Sequence, residues 1–492
     1  MAAVSDPRPR AADATLKKGF TLWSAFSVAF AVVSPIIAVY SVLGVALEKG
    51  GPGSWWGFLI VMFGALAIGA VLAQLASRWP FEGSIYQWSL RLGGPTYGWF
   101  AGWAYIGVYV IVCTTLAYGV VEFLPPALGI DPFGKGVTIA LAFVVLCLAT
   151  LANTTARRWL KILVVASITA EVIGSVGVGT VLMFFHHHQP FSIVTNYGGH
   201  GVTGGFGLGG ALAALGFLGW AYNGFESAAA IAEEVDEPAR NVPKAVLLVI
   251  VVIALIAMYS SLAIILAIPD PGAVLAGKVE DPVADVMTAN LGAGVAHALF
   301  AMFMVSFFAG LIAAQTAVSR VVWAYARDGV LPGSRSLVKL SGDDRLPVRS
   351  VLAVSTVVTV LLFVGLSDNA FATLVTFTTG GFFIAFGFAI FGYLRRALAG
   401  EWRPGPFTLG RWSIPIALVA AAWCVFMYID LAYPRSGQSW FEAWGVLLMT
   451  VVAAVLGAIV YRSVAGGVRV WAERQRADTA ALESEAAVAG GR

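Results

Sequence analysis

The sequence predicts an all-α integral membrane protein built from twelve helices, ten of them in two inverted halves. Three observations lead there: the composition, a succession of long apolar runs, and a break at matching places in the two halves. Of 492 residues, 59% are hydrophobic and 12% charged, against about 45–50% and about 25% in soluble chains. Charges this sparse cannot cover a water-facing surface, which argues against a soluble enzyme, a nucleic-acid binder and a disordered chain. The net charge of +3 says little about partners.

A bilayer crossing needs about 20 apolar residues. Such runs occupy 20–47, 54–77, 92–121, 136–156, 162–185, 201–232, 245–269, 286–319, 351–367, 369–394, 412–429 and 443–461. They are too long for barrel strands, so they must be helices, which pair their own backbone groups in hydrocarbon. The ninth is the shortest, and Asp368 alone separates it from the tenth, which predicts a tight helical hairpin. The polar residues 1–19 precede the first run, and that run is too long for a cleavable signal core. With the N-terminus inside, 26 of the lysines and arginines fall on the inner side and 4 on the outer. This bias predicts a multi-pass protein of the plasma (inner) membrane with both termini cytoplasmic. The Ala- and Glu-rich stretch from Glu473 onward reads as disordered and receives no functional assignment.

The loops are too short for a soluble catalytic domain, and no nucleotide loop, metal-ligand spacing or nucleophile elbow is present. Cys113, Cys147 and Cys424 lie inside apolar runs and read as core fillers. His186, His187 and His188 sit at an outer helix end and read as a solvated loop rather than a metal tract. An enzyme and a cofactor are therefore not expected.

Two spans are unusual. The first carries Val33-Ser34-Pro35-Ile36 at its centre, where proline removes a backbone donor. The sixth carries Trp220-Ala221-Tyr222-Asn223-Gly224-Phe225-Glu226, a polar patch in mid-membrane. Either alone is compatible with a kinked, continuous helix. Together they open two blocks of five spans, 20–185 and 201–394, and five being odd, the second block runs upside down. Interrupted helices at matching places in inverted halves point to a transporter's central site. Spans eleven and twelve, 409–466, read as peripheral, and 467–492 as a cytoplasmic tail.

Four stretches carry a family resemblance. Pro80-Phe81-Glu82-Gly83-Ser84-Ile85-Tyr86 leads to Gly94-Pro95, Gly98-Trp99 and Gly102-Trp103. Span six holds Asn223-Gly224-Phe225-Glu226-Ser227. Its inner end holds Glu233-Glu234, Pro238, Arg240, Pro243 and Ala245. Span eight ends in Ser319-Arg320 and Ala326-Arg327-Asp328-Gly329-Val330-Leu331-Pro332. In these the chain resembles the amino acid–polyamine–organocation transporters, and among them the amino acid, GABA and choline permeases. The resemblance implies a leucine-transporter-like fold and alternating access. It implies a small-molecule substrate, an amino acid or an amine such as GABA, choline or a polyamine, with the lipid bilayer as the other partner and no nucleic acid. The family's usual first break is Gly-Ser-Gly, whose amides cradle a substrate carboxylate. Ser34-Pro35-Ile36 replaces it here, which favours an amine or a distal carboxylate. Glu82 stands where relatives often carry a second glycine.

Charged residues within a span cost about 2.5–3.5 kcal/mol on insertion scales and are functional candidates. Glu226 reads either as a counter-ion for a substrate ammonium or as a cap on the second half-helix. By the resemblance, Trp220 matches an aromatic that covers the substrate, and an indole attracts a cation. The substrate is expected against Val33–Ile36 and Ala221–Phe225, with Cys113, Thr114 and Thr115 of span three as weaker candidates for the opposite wall. Glu171, in span five, is the proton-coupling candidate: burial disfavours its charged form, with Val172 and Ile173 flanking it. The alternative is a protonated carboxyl bonded to a carbonyl as structure only. Glu233, Glu234, Arg240 and Arg320 read as a solvated cytoplasmic gate. The driving ion is expected to be H+. Sodium coupling or exchange are alternatives, weakened because Ser306 is the only hydroxyl in the middle of span eight. A channel or non-transporting receptor is the rival class.

Overall fold

The computed structural model describes residues 20–155, 166–197, 210–279, 281–363, 370–435 and 440–490. Among them the fold is helical, and strand-like pairing is confined to two isolated bridges, Phe20 with Val235 and Ser341 with Leu346. Among the described residues ten helices are long and apolar enough to cross a bilayer. They coincide with the expected spans one to five, seven, eight and ten to twelve.

The two remaining spans differ from expectation. Only a 14-residue helix, Val348–Leu361, stands at span nine, and the expected hairpin at Asp368 lies outside the described residues. Span six is broken into short pieces, and its leading residues 201–209 also lie outside them. Three boundaries move as well. The run 286–319 joins two elements, because Gly292, at φ 78°, separates the helix Pro282–Leu291 from Ala293–Asp328. The helix of span seven starts at Pro238, ahead of its apolar run. The last helix, Trp440–Gly490, runs on through the stretch from Glu473 expected to be disordered, which corrects that reading. Ala and Glu are strong helix formers, and 51 residues extend about 75 Å, well beyond the hydrocarbon.

The first span is α1 (Leu22–Val33) followed by α2 (Pro35–Tyr40). Spans two to four are α3 (Trp56–Arg78), α5 (Pro95–Glu122) and α6 (Lys135–Thr155), with the short α4 (Ile85–Gly93) after α3. Pro95 suits the first turn of α5, where a missing N–H costs nothing. Span five contains a π turn, Val172–Gly177, leading into α7 (Val178–Phe185). Span six consists of α8 (Gly210–Leu218), a 3-10 turn Gly219–Tyr222 and α9 (Ser227–Ala230). Then come α10 (Pro238–Leu266), α11 (Ala293–Asp328), α12 (Val348–Leu361) and α13 (Ala370–Leu398). Gly329, left-handed at φ 75°, ends α11, and its N–H and that of Val330 bond the carbonyls of Ala326 and Tyr325 at 3.1 Å each.

Helices at matching places in the two expected blocks pack on each other: α1 on α9, α3 on α10, α5 on α11 and α6 on α12. The two breaks meet. A Cβ on Gly224 would lie 2.6 Å from Val32 Cγ1, and Gly224 has φ 107°, a conformation that suits only glycine. Span eight reaches the same place, where a Cβ on Gly310 would lie 3.0 Å from the Ala31 carbonyl oxygen. Small residues of this kind let helices approach closely in lipid. Gly224→Ala is therefore expected to cost about 1–3 kcal/mol from overpacking, with backbone strain added to it. A purified variant melting at the wild-type temperature would contradict this contact.

Candidate functional site

The first break turns on Ser34. It takes φ 46°, ψ 121°, which a non-glycine residue rarely adopts, while its N–H still bonds the Phe30 carbonyl at 2.7 Å. The turn frees the first amides of α2. Ile37 N–H donates to Ser34 Oγ at 3.1 Å, and Ile36 N–H donates to Glu171 Oε2 at 2.8 Å. The Ser34 hydroxyl donates to Glu171 Oε1 in a short hydrogen bond. Span five thus places its carboxylate inside the break of span one. Glu171 is fully buried, whereas Val172 and Ile173 are 55% and 51% exposed. The π turn that follows it packs on α10, α2 and α11. Ser306 of α11 faces the same carboxylate, and Tyr40 ties α2 to the π turn through the Gly174 carbonyl at 3.0 Å. Glu171 is thus held by one hydroxyl and one amide, and it makes no hydrogen bond to a carbonyl among the described residues.

At the second break, Glu226 precedes α9 but makes no capping bond to it. Its Oε1 instead accepts from the hydroxyls of Tyr105 and Tyr109 of α5, at 2.9 and 2.8 Å, and its Oε2 is buried without a hydrogen-bond partner. Sequence reasoning missed the two tyrosines, although their spacing of four on one span puts them on one helix face. Trp220 is 6% exposed and donates Nε1 to Ser41 Oγ at 3.1 Å. Tyr222 donates to the Phe58 carbonyl at 2.9 Å. Val33, Pro35, Ala221, Asn223 and Phe225 are buried with them. Cys113, Thr114 and Thr115 are buried on α5, but both threonine hydroxyls are spent on carbonyls of their own helix, at 2.9 Å each.

The gate residues divide. Arg320 Nε meets Glu234 Oε1 at 3.0 Å with both side chains buried, so this pair is not solvated as expected. Arg240 lies outside the cluster, pairing with Glu237 across 3.7 Å at the exposed surface. Arg327 fills its place and holds Glu233 through two bonds of 2.8 and 3.0 Å. Phe20 N–H bonds the Glu234 carbonyl at 3.0 Å, and Asp236 N–H bonds the Phe20 carbonyl at 2.9 Å. The start of span one, the end of span six and the end of span eight are thereby locked together. The histidine run is a loop tie, with His188 Nε2 2.7 Å from Asn290 Oδ1.

Glu82, unassigned from sequence, lies in this cluster. Its N–H donates to Glu233 Oε1 at 3.1 Å, while its carboxyl is buried without a hydrogen-bond partner. Burial foremost, then Glu234 and Glu233, push this carboxyl well above the ordinary glutamate range, with Arg320 and Arg327 opposing. The folded chain then binds this proton more tightly than the unfolded chain. The resulting stability is complete below the unfolded value of about 4.3 and is lost as pH rises through the folded value. Glu82→Gln is expected to flatten the pH dependence of melting above about pH 4.3, gaining on wild type as pH rises. Parallel melting profiles for the two proteins would refute the assignment.

A family model described as amino acid permease matches residues 20–456. The chain belongs to the amino acid permease family. The family lies within the amino acid–polyamine–organocation superfamily, as the motifs indicated, and its members are membrane transport proteins. A choline transporter of Saccharomyces cerevisiae is 25% identical over 85% of this chain and 76% of its own length. A GABA-specific permease of the same yeast is 26% identical over 85% and 76%. A branched-chain amino acid permease of Lactococcus lactis is 27% identical over 73% and 78%. The residues matched by the family model include both breaks and the ion-pair cluster.

Proposed function

We propose that this permease-family chain is a secondary active transporter that imports an amino acid or small amine by alternating access, driven by protons. The observation that carries this reading is the carboxylate of Glu171, buried inside the break of span one and held by the Ser34 hydroxyl and the Ile36 amide. The proposed architecture is the leucine-transporter-like one. It has twelve spans, with inverted repeats at 20–185 and 201–394, two further helices at 409–466, and cytoplasmic tails at 1–19 and 467–492 in the plasma (inner) membrane. The packing of corresponding helices and the meeting of the two breaks support it.

In this reading the substrate sits at the two breaks, between Val33–Ile36 and Trp220–Glu226. The Arg320–Glu234 and Arg327–Glu233 pairs close the cytoplasmic side and part when the site opens inward. Proton uptake by Glu171 changes its bond to Ser34. An O–H there donates to the Ser34 hydroxyl, which can turn from donor to acceptor. The grip of span five on the break then depends on the proton. No cofactor is needed, and no enzymatic chemistry is assigned.

Uptake by the reconstituted protein of labelled amino acids, GABA, choline and polyamines, with and without an uncoupler, tests the reading. Accumulation that the uncoupler abolishes is expected. Accumulation that depends on sodium and ignores the uncoupler would replace protons with sodium. Flux without counterflow exchange would indicate a channel.

A further inference from the structure

The first broken helix is closed by the chain's own carboxylate, and the second carries a buried carboxylate beside it. At the start of α2, Pro35 has no N–H, Ile36 N–H is bonded to Glu171 Oε2, and Ile37 N–H is bonded to Ser34 Oγ. Ala38 N–H reaches the Ser34 carbonyl at 2.7 Å, and the Ser34 hydroxyl is given to Glu171 Oε1. Each donor of that turn is accounted for within the protein. At the other break, the amides of Gly224 and Glu226 lie beside the Glu226 carboxylate, and Asn223 adds only one neutral side-chain amide. Cations are missing from the same region. Neither α1, α2, α5 nor the segment 210–230 contains a Lys, Arg or His, and α11 has none between His297 and Arg320.

A carboxylate brought here would lose water and gain no cation, and the donors of the first break are already taken. Buried charge without a partner is costly. An ammonium faces the opposite situation. The Glu226 Oε2 atom is fully buried and has no hydrogen-bond partner, so it is a ready acceptor, and Trp220 stands on the same broken span. We infer that the substrate is an organic cation carrying no α-carboxylate, with its ammonium at Glu226, while Glu171 occupies the break that would otherwise hold a substrate carboxylate. This inference rests on the permease reading and narrows its substrate class.

Matched pairs that differ by the α-carboxylate test it: cadaverine against lysine, putrescine against ornithine, and tyramine against tyrosine. Each competes for uptake into proteoliposomes containing the full chain. The decarboxylated member is expected to bind about tenfold or more tightly, since a site with unmatched polar groups discriminates strongly. In Glu171→Ala the Ile36 amide and Ser34 hydroxyl are released, and the preference should shrink several-fold. Ser34→Ala, which releases Ile37 N–H, should shrink it in the same direction and serves if Glu171→Ala does not fold by its melting curve. Amino acids bound as well as or better than their amines would overturn the inference and leave the permease reading standing. An unchanged preference in the folded variants would also overturn it. Uptake of no member of any pair, nor of the wider panel, would overturn the permease reading and this inference with it.

Discussion

Arg320→Ala is expected to destabilise the protein by about 3–5 kcal/mol, because it takes the guanidinium away from a buried carboxylate. Arg320 and Glu234 are 3% and 0% exposed, and their 3.0 Å contact joins span eight to the end of span six. That end is also bonded to Phe20 at the start of span one. The damage should therefore fall on closure of the cytoplasmic side as well as on folding. Melting temperature should drop, and preloaded substrate should leave reconstituted vesicles faster. Arg320→Lys keeps the charge but not the planar donor set and should fall between. A variant that melts and retains substrate as wild type would remove the pair from the gate.

Glu171→Gln is expected to keep substrate exchange and to lose uphill accumulation. The side chain of glutamine resembles the protonated carboxyl at this site: its oxygen can accept from Ile36 N–H while its amide donates to Ser34 Oγ. It holds the break in one state and carries no proton. A gradient of one pH unit stores about 1.4 kcal/mol per proton, enough for about tenfold accumulation at one proton per substrate. The variant should level near the outside concentration, with counterflow intact. Tenfold accumulation by reconstituted Glu171→Gln protein would rule Glu171 out as the coupling site.

Glu171 and Glu226 are visible in the sequence because ionisable groups inside apolar runs stand out by cost alone. Arg320 and Glu234 lie just past their runs and are visible through the stretches that carry the family resemblance. Periodicity could not say who meets whom. Glu171 and Ser34 lie 137 residues apart, and only packing brings them together. Local surroundings even misled, since Val172 and Ile173 point away from the site that buries Glu171. Arg240 and Arg327 show the limit at the gate: both are basic residues near the expected inner surface. A position in the first turn of α10 turned one outward, and one near the end of α11 turned the other toward Glu233. Apolar runs placed ten spans well. They failed where glycine divides a run, as at Gly292, and where good helix formers carry a helix past its apolar part, as in Trp440–Gly490. The π turn after Glu171 left no sequence signal beyond the glycines Gly174 and Gly177, which a regular helix also tolerates.

Proton flux reports whether substrate movement through the two breaks is coupled to protons at Glu171. Wild-type protein and Glu171→Gln are reconstituted with a pH-reporting dye inside the vesicles, at equal inside and outside pH and with sodium absent. Addition of a substrate identified from the panel should acidify wild-type vesicles in proportion to uptake and leave Glu171→Gln vesicles unchanged. Substrate entry into wild-type vesicles without acidification would contradict proton coupling.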